Sequence, residues 1–207
     1  MIGVYDYTVI ATYLSLLIGL GGVRYAAQGD ALPAILCLML AGLLDAFDGR
    51  IARTKKNRTE VEKRFGIQID SLNDLVCFGV LPAMIGWSFG CTATAFFATM
   101  AFFVLCALIR LAYFNVLEEE RQAQTEELRS YYLGVPVTAA AFVMPFFYLL
   151  SSYLSLPVTA VYGAGAFLLG VLFIAPLHVR KAHLGGIIVM AAFGLAEFVL
   201  LLLGMGL

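Results

Sequence analysis

Apolar positions in this chain form long, nearly unbroken runs, and the polar positions gather in short stretches between them. A bilayer core takes about 20 apolar residues per helix. Seven runs approach or reach that length: about 8–27, 31–53, 66–89, 92–117, 134–154, 157–177 and 184–206. Lipid offers no partner to a bare peptide group, so such runs predict helices. Gly29, Asp30 and Pro33 separate the first two, with Asp30 placed to cap the second helix and Pro33 in its first turn. Ser88 to Thr92 breaks the third run from the fourth, and Ser155, Leu156 and Pro157 break the fifth from the sixth. Gly185, Gly186 and Glu197 interrupt the seventh, which crosses, re-enters or lies along the bundle. The pattern predicts an all-α, polytopic transmembrane helix bundle of six to eight spans, seven counted, in a single domain over residues 1–207.

Composition agrees: 62% of residues are hydrophobic and 13% charged, where soluble domains carry roughly 25% charged residues. Met1 to Thr8 lacks a basic stretch and no cleavage site follows, so the first run is read as a retained membrane helix. Cys37, Cys77, Cys91 and Cys106 form no CxxC pair and read as small apolar filler.

Charge distribution sets an orientation. The connections after the first, third and fifth runs hold no Lys or Arg. Thr54 to Phe65 carries Lys55, Lys56, Arg58, Lys63 and Arg64; Glu118 to Ser130 carries Arg121 and Arg129; Leu177 to His183 carries Arg180 and Lys181. Basic connections stay in the cytoplasm. The chain is therefore expected in the cytoplasmic membrane with its N-terminus inside, and Arg24 snorkelling at the outer face.

Four aspartates break the apolar pattern. Asp45 and Asp48 sit near the inner end of the second run, and Asp70 and Asp74 near that of the third. A carboxylate in hydrocarbon costs about 2–4 kcal/mol or more unless it faces a cavity, a partner or a metal. Helical residues three and four apart share a face. Asp45 and Asp48 then point one way, Asp70 and Asp74 point another, and the two faces opposed gather four carboxylates. Bare, they repel and bind protons; with hard divalent cations they make an oxygen-rich site suited to Mg²⁺ or Mn²⁺. Gly49, Ala52 and Gly66 remove side-chain bulk, so a ligand can approach the backbone. Arg53 and the basic residues after it are placed to meet phosphates. Ion pairing with Arg50, Arg53 or Arg110, and a proton or ion pathway, are the other uses for such acids.

These residues resemble the signature of the CDP-alcohol phosphatidyltransferase family, D-x2-D-G-x2-A-R followed by G-x3-D-x3-D. Asp45, Asp48, Gly49, Ala52 and Arg53 match the first half, and Gly66, Asp70 and Asp74 the second. Twelve residues separate Arg53 from Gly66, and an extra turn or longer loop absorbs the difference from the commoner spacing. The flanks are similar to those of the family's membrane-embedded phosphatidylserine synthases: Phe78 to Ala83, Arg110 to Asn115, and Leu133 to Pro136. Tyr113 stands where that pattern has a second Arg.

The resemblance implies transfer of a phosphatidyl group from CDP-diacylglycerol to an alcohol, here L-serine, with release of CMP. It implies two divalent cations, Mg²⁺ or Mn²⁺, held by Asp45, Asp48, Asp70 and Asp74. It places Asp45, Asp48, Gly49, Ala52, Arg53 and Gly66 at the nucleotide diphosphate, and makes Asp74 the general base. It also implies a homodimer in membrane lipid and no nucleic-acid partner. Arg110 is a candidate for gripping a phosphate or the serine carboxylate bidentately. Ser71, Asn73 and Asn115 either line the pocket or bond between helices. His178 and His183 read as interfacial anchors, and Glu118, Glu119 and Glu120 as a solvated helix end. The alternatives are the same chemistry with inositol phosphate, glycerol phosphate or an ether-lipid donor, and an ion-coupled transporter.

Overall fold

The first apolar run is helical over Ile10–Ala27 (α1). The chain reverses at Gly29, φ +89°, and enters Ala31–Thr54 (α2). Asp30 takes the N-cap position, but its side chain makes no capping bond, so the expected cap is positional only. The computed structural model describes residues 3–55, 57–124, 131–180 and 184–204, with side chains except at Arg50, Arg53 and residues 122–124, 131–133, 178–180 and 184–189. Lys56, Arg129, Lys181 and His183 thus lie outside the described residues, as do the side chains of Arg50, Arg53, His178 and Arg180.

A single rod forms the axis of the bundle. It comprises Glu60–Asp74 (α3), a π-helical turn over Leu75–Val80, and Leu81–Ser88 (α4). Within its apolar window 61% of residues are buried, against 33–39% for the other long spans. The rod begins well before the predicted run because Thr59 caps it. Glu62 N–H donates to Thr59 Oγ1 at 3.2 Å, and Thr59 N–H donates to Glu62 Oε2 at 2.8 Å. This reciprocal cap extends the helix into polar sequence that apolar periodicity does not register.

Thr94–Gln124 (α5) likewise outruns its apolar stretch. Arg121 pairs with Glu118 one turn back at 2.5 Å, which supports helix where lipid no longer demands it. A 3₁₀ turn over Val137–Ala139 leads into Ala140–Tyr153 (α6), followed by Val158–Ile174 (α7) and Leu184–Leu202 (α8). Among the described residues, four helical stretches are long and apolar enough to cross a membrane: Ile10–Ala27, Ala31–Gly49, Glu60–Ser88 and Thr94–Arg121. The apolar helices over Val137–Tyr153 and Val158–Ile174 are shorter. Among the described residues each of the seven predicted runs is therefore largely helical.

Phe78, Leu81 and Ile85 of the rod are fully buried together with Ile35 and Leu38 of α2 and Met100 and Phe103 of α5. From α7, Tyr162 donates its hydroxyl to Pro82 O at 2.9 Å. Lipid is as apolar as these side chains, so close packing and such internal bonds, rather than escape from water, hold the helices together.

The bundle carries one small feature the apolar pattern did not foretell. Tyr131–Leu133 (β1) pairs antiparallel with His178–Arg180 (β2), Tyr131 opposite Arg180 and Leu133 opposite His178. Three-residue strands leave no periodic signal. This ribbon pairs the segment just before α6 with the segment just after α7. Gly134 closes it, donating its N–H to Leu177 O at 2.6 Å with φ +78°. A Cβ there meets the Phe173 carbonyl oxygen at 2.7 Å.

A polar tie fixes the α2–α3 connection. Lys55 Nζ bridges Asp6 Oδ2 and Glu62 Oε1, each at 2.7 Å. Lys55 and Thr8 donate to the Asp6 carboxyl and hold it down to about 2, and the Lys55 ammonium is raised by the same acids. The Asp6 contribution is complete above its ordinary value of 3.8 and is lost as pH falls through about 2.

Two outcomes follow from these contacts. Gly134→Ala should lower stability by about 1–3 kcal/mol through left-handed strain and the carbonyl clash, read as a lower Tm in detergent. The Tm difference between wild type and Asp6→Asn should stay constant around neutral pH. It should then close as acid takes the wild type from about 4 to about 2.

Candidate active site

The second half of α2 presents Asp45 and Asp48, three residues apart, to the stripe of α3 that carries Asp70 and Asp74, four apart. One carboxylate oxygen from each of Asp45, Asp70 and Asp74 lies within 4.8 Å of the others. Asp45 and Asp74 are in direct contact across the helix pair, as are Asp48 and Asp70. Opposed helix faces thus bring the acids together as their spacing predicts. Asp48 stands beside the trio rather than within it. The hydroxyl of Thr12, from α1, donates to Asp48 Oδ2 at 3.2 Å, and both residues are buried.

The carboxylates are undersatisfied. Asp70 Oδ1 and Asp74 Oδ1 are buried without a hydrogen-bond partner. Among the described side chains, no Lys or Arg forms an ion pair with Asp45, Asp70 or Asp74. Buried carboxylate oxygens are ordinarily paired or ligate a metal. The donor set is all oxygen, anionic and hard, and it leaves lone pairs open. These residues fit Mg²⁺ or Mn²⁺.

Local backbone structure aims the acids. The π-helical turn over Leu75–Val80 starts directly after Asp74. Such turns insert an extra residue into the helical repeat and recur at functional sites. Beneath the acids lies a buried polar cluster. Asn73 Nδ2 donates to Ser15 Oγ at 3.4 Å, Ser15 Oγ donates to Ala41 O at 3.3 Å, and Cys77 Sγ donates to Asn73 Oδ1 at 3.3 Å. Asn73 is therefore an inter-helix strut that locks α1, α2 and the rod.

On the other side of α3 a polar ladder reaches α5. Ser71 Oγ donates to Asn115 Oδ1 at 2.6 Å, Asn115 Nδ2 to Gln68 Oε1 at 3.3 Å, and Gln68 Nε2 to Glu119 Oε1 at 3.0 Å. Ser71 and Asn115 bond between helices and also line a cavity of about 340 Å³. Glu119 joins this ladder and Glu118 pairs with Arg121, so that end of α5 is engaged rather than merely solvated.

Arg110 is buried on α5. Its Nε donates to Val135 O at 3.3 Å, and its guanidinium lies 5.6 Å from the centre of the Phe114 ring. These contacts tie it to the Gly134–Val135 backbone. Gly49 is exposed and Ala52 half-buried on the α2 segment after the acids. Gly66 is covered: a Cβ there lies 2.7 Å from Arg58 Nη2, so the space the glycine opens receives that guanidinium.

Thr12, Ser15 and Gln68 escaped the sequence reading. A signal existed for the first two: Thr12 and Ser15 lie three apart in α1, Thr8 precedes them by four residues, and all three are buried. In an apolar span, that stripe marks a face turned toward polar company.

Comparison with known proteins matches this geometry to a family. The family model described as CDP-alcohol phosphatidyltransferase matches residues 6–196. Similar relatives include the CDP-diacylglycerol–serine O-phosphatidyltransferase of Mycobacterium leprae, 34% identical over 131 residues, 63% of this chain and 42% of that protein. The Saccharomyces cerevisiae protein of the same name is 35% identical over 147 residues, 65% of this chain and 52% of its own length. The archaetidylserine synthase of Methanothermobacter thermautotrophicus is 34% identical over 145 residues, 68% and 54% respectively. The chain spans about half the length of the curated relatives it matches. With the family match running through nearly all the helices, the chain belongs to the CDP-alcohol phosphatidyltransferase family.

Proposed function

We propose that this chain transfers the phosphatidyl group of CDP-diacylglycerol to the hydroxyl of L-serine, forming phosphatidylserine and releasing CMP. The observation that carries the reading is the Asp45–Asp70–Asp74 cluster, with its unpaired buried oxygens, at the family signature. The relatives described above all bear serine in their names, which supports the acceptor. Family membership leaves the transporter reading without support.

Asp45, Asp48 and Asp70 would hold the divalent cations, Mg²⁺ or Mn²⁺. When bound, these neutralise charge on the diphosphate and polarise the phosphorus under attack. The rest falls to the protein's own side chains. Asp74 Oδ1 is buried and unpaired, a free acceptor for the proton of the incoming hydroxyl. Proton removal makes the serine oxygen nucleophilic; its bond to phosphorus forms as the bond from phosphorus to the CMP oxygen breaks. Thr12 steadies Asp48 from α1. Gly49, Ala52, Arg53 and Gly66 border the nucleotide side in this scheme, and Arg110 belongs with the acceptor or its phosphate. In this reading the site lies on the cytoplasmic face, which the charge bias of the basic connections supports, so that lipid enters sideways and CMP leaves to water. The working unit is a homodimer.

Turnover should require Mg²⁺ or Mn²⁺ and cease in chelator. Asp45→Asn or Asp48→Asn should remove most of it, measured as CMP release from CDP-diacylglycerol. Full activity in chelator would overturn the metal assignment.

In the same assay with a panel of acceptors, serine should give product while inositol phosphate and glycerol phosphate do not. Asp74→Asn should cost roughly 10²–10⁴-fold in rate while binding of CDP-diacylglycerol persists. Arg110→Lys should chiefly raise the serine requirement. Near-normal turnover in Asp74→Asn would assign the proton to another group.

A further inference from the structure

We propose that Arg58 is a phosphate-binding residue of this site, reaching over Gly66 to the diphosphate of the nucleotidyl lipid. The inference rests on the reading of the site as a nucleotide site. It starts from unmatched polar groups along α3: an N–H of Arg58, just before the helix, and carboxylate oxygens of Asp70 and Asp74 within it. Arg58 Nη2 donates to Glu62 O at 3.1 Å, which lays the guanidinium against α3 at Gly66. Its Nε is buried without a hydrogen-bond partner. Gly66, Asp70 and Asp74 follow one another at four-residue steps, so each lies one turn, about 6 Å, further along the same stripe. The unpaired guanidinium N–H and the unpaired carboxylate oxygens of Asp70 and Asp74 therefore stand on one face of α3.

A purely structural arginine is poorly placed here. Arg58 directly precedes Thr59, the N-cap of α3, and the positive end of a helix dipole disfavours a nearby cation. An anion beside it relieves both charges. An oxygen-rich dianion that accepts from Arg58 at one end and shares a divalent cation with the aspartates at the other completes both sets of groups. A nucleoside diphosphate has that chemistry. The arginine is also held in place: Lys55 on one side is anchored to Asp6 and Glu62, and Thr59 on the other forms the capping box with Glu62. The long spacer between Arg53 and Gly66 thus supplies a cation that folds back over the signature glycine. Any residue larger than Gly at position 66 displaces it.

The test measures binding of CDP in the presence of Mn²⁺, and of Mn²⁺ alone, to the full chain in detergent, comparing wild type, Arg58→Lys and Arg58→Gln. Loss of a charged hydrogen-bonding partner should weaken CDP roughly 10- to 100-fold in Arg58→Gln. The loss should be smaller in Arg58→Lys, which keeps the charge without the planar fork. Mn²⁺ affinity should be unchanged in both. Unchanged CDP affinity overturns the proposal. So does a parallel loss of Mn²⁺ affinity, which makes Arg58 a prop for the start of α3. A rise in serine KM with CDP binding intact overturns it too, by giving Arg58 to the acceptor carboxylate. A wild type that binds no CDP removes the nucleotide reading itself, a failure visible without any variant.

Discussion

Mutual repulsion of acids in a medium that screens poorly is the constraint on which this structure depends. Carboxylate oxygens from Asp45, Asp70 and Asp74 lie within 4.8 Å of one another, and Asp48 touches Asp70. Two unit charges at such a separation repel by about 3–4 kcal/mol at an effective dielectric constant near 20. Several such pairs cannot all stay ionised unless positive charge sits among them. The fold nevertheless holds them together from three sides. The axial rod carries two acids, α2 carries two more, and α1 contributes Thr12 and Ser15 to brace the arrangement. The cation of the proposed function would relieve this crowding.

The same logic orders the polar parts outside the apolar core. The tie through Lys55, the capping box at Thr59 and the guanidinium over Gly66 are all built into the α2–α3 connection. That connection joins the two acid-bearing helices, so its geometry sets their register. The ladder from Ser71 to Glu119 then holds α3 against α5. The β ribbon with Gly134 gathers the connections before α6 and after α7, and Arg110 is fastened to that segment through Val135.

Much of this was legible in the sequence because lipid simplifies the reading. Apolar run length marks spans, and a buried acid is conspicuous against Leu, Ile and Val. The opposed aspartate faces follow from helical spacing alone. What stayed hidden depends on contacts between segments distant in sequence. Nothing local to Thr12 announces Asp48, and nothing local to Gln68 announces Glu119. The early start of α3 was missed because a capping box stabilises polar helix that hydropathy reads as loop. The ribbon was missed because three-residue strands have no period. Arg58 was visible only as one of several basic residues; its seat over Gly66 requires the folded connection.

The most direct measurement is Mn²⁺ electron paramagnetic resonance on the purified full chain in detergent, without substrate. Oxygen-ligated Mn²⁺ should appear as bound ion in wild type and return to the free aqueous signal when Asp45 or Asp70 is replaced by Asn. Wild-type protein that leaves added Mn²⁺ entirely in the free aqueous signal at millimolar concentration would contradict a cation-centred site, and the crowded aspartates would then need protons rather than metal to coexist.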